Sequence, residues 1–318
     1  MYENQVRWAI ATLHEKNYQL LSQTPDVIQE NPWAIVYRFQ SNQGFVYLKC
    51  VPSELSIEPT IIKILLSEFN ANVPVIIAEN SSLFCFLMKD AGIQMHQYFK
   101  QNFQSDILIK TMREYTNLQI TATHKIDRFL ELGIPDWRLE KLPALYDKII
   151  AEKKLLLDDG LSKNEVEKLR KLAPTLSSLC SQLAQYNIKD TFGHADFHDK
   201  NICINPDTGK TTIIDLGEVV ITYPFFSFLN CLFRAKENFS LTDEQYHQLQ
   251  MDCFVPWLEF ESQENLLGIL RIINQCWPIH SVLGEYRLMK SVNQVDYQKL
   301  LRQGRFANNF RYWLLNPL

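Results

Sequence analysis

Two short runs near the start of the chain, Ala34-Ile-Val-Tyr-Arg-Phe39 and Gly44-Phe-Val-Tyr-Leu-Lys49, are dense in β-branched and aromatic residues, with turn-forming Ser41-Asn-Gln-Gly44 between them. Such side chains fit a pleated, half-buried surface, so the pair predicts a β-hairpin. From Glu58-Pro59 the period changes: Ile61, Ile62, Leu65, Leu66 and Phe69 recur at helical spacing behind a proline suited to a first turn. Val73-Pro-Val-Ile-Ile77 and Leu83-Phe-Cys-Phe-Leu-Met88 return to strand patterning. The first ninety residues thus predict a small antiparallel sheet carrying one helix.

The period changes again near Asp90-Ala-Gly92, which predicts a boundary between a domain over 1–90 and a second over 91–318. Beyond it, long helical segments are expected at roughly 105–131, 140–158 and 163–186, with turns at Gly133-Ile-Pro135 and Asp158-Asp-Gly160. One β island interrupts them: Ile202-Cys-Ile-Asn205, the turn Pro206-Asp-Thr-Gly209, and Thr211-Thr-Ile-Ile-Asp215. After Pro224 the pattern is helical and aromatic-rich to the end. The fold class expected is α+β.

Composition narrows the partners. The chain has 318 residues, 46% of them hydrophobic, and 32 basic against 36 acidic side chains give a net charge of -4. That excludes the broad positive field that gathers nucleic acid or an anionic membrane surface. No apolar run reaches the ~20 residues that span a bilayer, and the first residues lack signal-peptide character. The expectation is a cytoplasmic protein with a small-molecule substrate, no nucleic-acid or membrane partner, and an oligomeric state that the pattern does not address. Seven cysteines without a Cys-x-x-Cys pair read as reduced, mostly buried thiols.

The chemistry concentrates in Gly193-His194-Ala195-Asp196-Phe197-His198-Asp199-Lys200-Asn201 and in Ile214-Asp215-Leu216-Gly217. An Asp followed five residues later by an Asn lets one loop present a proton acceptor, Asp196, and a magnesium ligand, Asn201. Asp215 supplies a second oxygen ligand, which suits a hard cation that also takes phosphate oxygens. The intervening hairpin returns Asn201 and Asp215 to one end of two neighbouring strands. Lys49 closes an apolar strand, where a buried ammonium needs an anionic partner; Glu58 at the helix start is the obvious one, with Glu54 and Glu68 as competitors. In kinases a strand Lys contacts the nucleotide phosphates and a helix Glu holds it. His194 is expected to support the loop through a backbone hydrogen bond. A competing reading takes His194, Asp196 and His198 as a zinc site for hydrolysis.

Together these residues resemble the aminoglycoside phosphotransferase and choline kinase superfamily. Its motif, His-Gly-Asp-x-His-x-x-Asn and a later strand ending in Ile-Asp, stands here as His194 to Asn201 and Ile214-Asp215. The resemblance implies a bilobal protein-kinase-like fold, with a small antiparallel sheet lobe and a larger helical lobe, ATP or GTP with Mg2+, and a hydroxyl acceptor. Residue by residue it implies Asp196 as base, Asn201 and Asp215 as magnesium ligands, Lys49 on the phosphates and Glu58 as its partner. A nucleotide-binding or interaction module of the same fold, without turnover, is the alternative. Two departures stand out: Ala195 replaces the usual glycine, and Gln29-Glu-Asn-Pro-Trp33, where a phosphate-covering loop belongs, has no glycine. The acids and bases after Pro224 nearly balance, which disfavours a polycationic acceptor.

Overall fold

The computed structural model describes residues 3–100, 102–292 and 304–315. It divides into two compact units, each described by itself.

The first unit takes the residues up to Met95, Asn201–Gly217 and, of the described residues, 288–292. The β island therefore clusters with the first sheet and not with the helices that flank it in sequence. The sheet has five strands, β1 (Asp26–Asn31), β2 (Ala34–Ser41), β3 (Gly44–Cys50), β4 (Ile76–Asn80) and β5 (Cys85–Lys89), in the order β1-β2-β3-β5-β4. The expected hairpin is β2–β3, with Arg38 opposite Tyr47 and Ser41 opposite Gly44. Phe39, Val46, Leu48 and Cys50 bury together with Leu87 of β5 and with Ala9 and Leu13 of a helix at Glu3–Glu15. The helix Glu58–Phe69 buries Ile61, Ile62, Ile64 and Leu65, whereas Leu66 lies on its exposed side. It ends at Asn70, whose left-handed backbone lets its N–H bond Leu65 O.

Two strands differ from expectation. The strand expected over 73–77 begins at Ile76, because Pro74 has no N–H for a ladder. β1 carried no periodic signal: its residues Asp26 to Glu30 are exposed, the polar make-up of an edge.

A second, three-stranded sheet joins Ile93–Gln94 to Ile202–Ile204 and Thr211–Ile213. Gly92 allows this pairing. Its φ is +103°, and a Cβ there would lie 2.3 Å from Ile204 O.

The second unit takes His96–Lys200, Glu218–Arg287 and, of the described residues, 304–315. Each long helix expected from the sequence is divided. Ser105–Ala122 is followed by Ile126–Glu131, Leu142–Ala151 by Lys153–Asp158, and Lys163–Lys171 by Ala173–Leu183. The last break has a local cause, since Pro174 sits in a first turn where its missing N–H is harmless. Short buried strands Asp136–Trp137, Val219–Thr222 and Thr191–His194 form a three-stranded sheet in that order. All seven cysteines are unpaired and buried. No helix among the described residues is long and apolar enough to cross a membrane.

The Gly92 contact predicts that Gly92→Ala lowers the unfolding free energy by about 2 kcal/mol, through the forced φ and the collision with β backbone together. Urea denaturation of the two proteins measures it; an unchanged midpoint contradicts the packing described.

Candidate functional site

In the first unit three sequence-selected residues meet. Lys49 is carried by β3 on the opposite face from core residues Leu48 and Cys50, and is itself only 6% exposed. Its Nζ lies 2.7 Å from Glu58 Oε2 and 2.5 Å from Asp215 Oδ1. Glu58 opens its helix, where a carboxylate also faces the positive end of the peptide dipoles. Its other oxygen, Oε1, accepts the Leu216 N–H at 3.0 Å. Burial works against the Lys49 charge, but Asp215 and Glu58 outweigh it and hold the ammonium pKa above its ordinary value. Glu54 bonds Ser53 Oγ in an exposed turn.

Asp215 has a φ of 61°, a left-handed conformation uncommon outside glycine and asparagine. The strain has a local context: Ile214 N–H bonds Asn201 O at 2.9 Å, so the ends of the two strands are tied just before Asp215. A Cβ at Gly217 would stand 3.3 Å from Glu58 Oε2, so glycine lets this turn close on the buried carboxylate. Asn201 is buried and Asp215 is one-third exposed at its side chain. Their donors, a carboxamide and a carboxylate oxygen, fit a hard divalent cation that takes its other ligands from phosphate and water.

Asp196 and its neighbours belong to the second unit. The strand Thr191–His194 delivers the loop, and buried His194 accepts the Asp196 N–H at Nδ1, 3.2 Å, the supporting bond expected of it. Tyr115 Oη accepts the His194 N–H, and Ser227 Oγ donates to His194 O. Ala195 keeps a negative φ and donates its N–H to Glu218 O, so replacing glycine there introduces no left-handed strain.

The Asp196 side chain remains 44% exposed and its Oδ2 lies 3.2 Å from His198 Nε2. Partial burial pushes its carboxyl up, but the His198 hydrogen bond and charge, with His194 and Arg234 behind them, bring it down to about 2. Burial opposes a charge on His198, yet Asp196 and Asp199 raise its pKa to about 9. Lys200 N–H bonds Nδ1 at 3.1 Å, which describes the neutral ring with its proton on Nε2; in the charged ring the second proton sits on Nδ1, facing Asp199 Oδ1 at 3.6 Å. Either form donates from Nε2 to Asp196.

Asp199 itself was missed by sequence reasoning. Almost fully buried, it contacts His96 Nδ1 at 2.6 Å and accepts both of its carboxylate bonds from Asn238 Nδ2, at 3.0 and 3.1 Å. Its place in the motif was the only available signal. His96 and Asn238 carried none. The zinc reading finds no support in this geometry: among the described residues no group of three His, Cys, Asp or Glu side chains could hold a metal ion. In the Asn31-Pro32 turn, where a phosphate-covering loop belongs, the amides of Trp33 and Ala34 both donate to Asn31 Oδ1 at 3.1 and 2.8 Å.

The sequence profile of the phosphotransferase enzyme family matches residues 65–252, more than half of the chain. The chain belongs to that family. Solved structures of phosphotransferases share the α+β, protein-kinase-like fold. The GDP complex of wild-type aminoglycoside 2′-phosphotransferase-IIIa superposes with a TM-score of 0.60 at 13% identity, over 98% of this chain and 99% of that one. A choline kinase of Streptococcus pneumoniae gives 0.58 at 10% identity, over 98% of both chains. An ethanolamine kinase of Plasmodium vivax gives 0.55 at 13%, over 92% of this chain and 81% of that one. At such identities the likeness is one of fold. No curated protein matches the sequence.

Two predictions follow from the ion pairs of this phosphotransferase-family chain. Lys49→Met leaves the Glu58 carboxylate buried opposite Asp215 and should destabilise the fold by about 3 kcal/mol, whereas Glu58→Gln leaves Lys49 paired with Asp215 and should lose less. Urea titrations rank the two; the opposite order contradicts the arrangement. For His198, the raised pKa means stabilisation that is complete below the unfolded value of about 6.5 and is lost as pH rises toward 9. His198→Gln should therefore flatten the fall in melting temperature between pH 6.5 and 9. An identical slope in both proteins rules out the elevated value.

Proposed function

We propose that the protein is a small-molecule kinase moving the γ-phosphoryl group of ATP or GTP to a substrate hydroxyl. The observation that carries the reading is the buried Lys49–Glu58–Asp215 ion-pair network, which keeps an ammonium charged with little solvent around it. Lys49 contacts the nucleotide phosphates and Glu58 holds it in place. GDP in the structure of aminoglycoside 2′-phosphotransferase-IIIa and ADP in that of a spectinomycin phosphotransferase support either nucleotide. Asn201 and Asp215 hold Mg2+, which when bound offsets the charge of the phosphate oxygens.

Asp196 acts on the acceptor. A carboxylate with a pKa near 2 is a weak base toward a resting alcohol, so it orients the hydroxyl first. As the oxygen bonds to Pγ, its proton becomes acidic and passes to Asp196, while the bond from Pγ to the bridging oxygen breaks and its electron pair leaves with the nucleoside diphosphate. The Nε2–H of His198 fixes Asp196 Oδ2 for this task.

A second reading, nucleotide binding without turnover, draws on the Pro32-Trp33 turn, whose two amides are already satisfied by Asn31. One experiment separates the two. With Mg2+ and either nucleotide, the wild type should show a raised melting temperature and phosphoryl transfer to an alcohol panel, and Asp196→Asn should lose about 10²–10⁴-fold in transfer with binding retained. Binding without transfer supports the second reading, and binding of neither nucleotide overturns both.

A further inference from the structure

The helix Phe225–Asn238 does more than brace the Asp196 loop. Ser227 near its start bonds His194 O and Asn238 at its end holds Asp199. Arg234, one turn before Asn238 and on the same face, lines a cavity of about 500 Å³ within the second unit. Three charged groups line that cavity. Glu285, nearly buried, accepts Arg305 Nη1 at 2.8 Å, so these two neutralise each other. Arg234 has no ion-pair partner among the described residues, and the Asp196 carboxylate that it influences is not in the lining, so the charged lining groups sum to one positive charge.

The remaining lining is suited to hydroxyl groups. Trp277 and Tyr312 are aromatic lining residues, and four asparagines, Asn230, Asn274, Asn308 and Asn309, add carboxamides, that of Asn309 with one donor already on Arg305 O. Pro278, also in the wall, stands inside its helix and removes the N–H that would bond the carbonyl of Asn274, another lining residue. A polycationic ligand finds its only acid already bonded and a guanidinium opposing it.

From this the geometry points to an acceptor that is a sugar-like polyol bearing an acidic group, its carboxylate or phosphate on Arg234 and its hydroxyls on the carboxamides. The inference rests on the kinase reading for the word acceptor, but the cavity's selectivity does not. Arg234 also faces the Asp196 loop electrostatically, since its charge contributes to the lowered pKa of Asp196. The anionic end of the ligand is then served by the helix and the reacting hydroxyl by the loop that this helix braces.

Four compounds of one skeleton test it on the full chain by titration calorimetry: D-glucose, D-glucosamine, D-glucuronate and D-glucose 6-phosphate. At least one of the two acids should bind about tenfold tighter than glucose, and glucosamine weakest of all. Whichever acid is preferred tells carboxylate from phosphate. Arg234→Gln should reduce the margin over glucose to less than about twofold, while Arg234→Lys, which keeps the positive charge, should preserve most of it. Selectivity in a protein that transfers no phosphate would leave the cavity inference standing and remove only the kinase reading. Glucosamine bound as tightly as the acids, no saturable binding of either acid at millimolar concentration, or an undiminished margin in Arg234→Gln overturns it.

Discussion

An ammonium group removed from water is tolerable only with its charge answered, and the first unit is organised around that constraint at Lys49. Moving such an ion into a protein interior without partners is prohibitive, and even a paired one is retained at the expense of stability that an apolar side chain would supply. Three separate pieces of chain converge to satisfy it: β3 brings the lysine, the first turn of the helix at Glu58 brings one carboxylate, and the turn after Ile214 brings the other. The turn is itself held by the Leu216 amide on Glu58 and by the absence of a side chain at Gly217. A network with this much of the backbone committed to one charge is poorly explained by stability alone. It suits the role proposed for Lys49, a positive group fixed in position for an anionic ligand.

The second unit shows the same logic in the opposite sign. Asp199 is a buried carboxylate, and it is surrounded by His96, His198 and Asn238, each contributing a polar hydrogen or a ring nitrogen. Asp196, two residues beyond the strand Thr191–His194, keeps almost half of its side chain exposed. The buried acid ties His96, His198 and Asn238 together, while the exposed one is bonded by His198 and still reaches solvent. Within one short loop, environment assigns different tasks to chemically identical groups. The helix Phe225–Asn238 ties that loop to its unit at two points, through Ser227 on His194 O and Asn238 on Asp199.

The strained backbone is also informative. Left-handed residues other than glycine are few, and Asp215 is one of them. The glycine that the motif would ordinarily place at 195 is absent without strain, because Ala195 adopts an ordinary φ and bonds Glu218 O. Strain is therefore found at the residue whose carboxylate must face Lys49. Ala195 needs none. A position that departs from a familiar motif can thus be structurally neutral while a position that conforms to it carries the distortion.

Much of this was legible from residue types in order. Alternation and turn residues specified the β2–β3 hairpin, helical spacing specified the helix after Glu58, and the burial penalty on a strand-end lysine called for Glu58 as partner. Those inferences rest on local patterns and on charges that must be paired, which the sequence states directly. The family likewise follows from motif spacing. The tertiary structure alone decided the rest: that Asn201–Gly217 joins the first unit, that β1 forms from a polar segment without periodicity, that the Trp33 and Ala34 amides turn inward to Asn31, and that Asn238 supports Asp199 across 39 residues. Each depends on a hydrogen bond or a neighbouring strand that lies far away along the chain. Local composition registers what a residue prefers, whereas only folding determines which distant group is there to meet it.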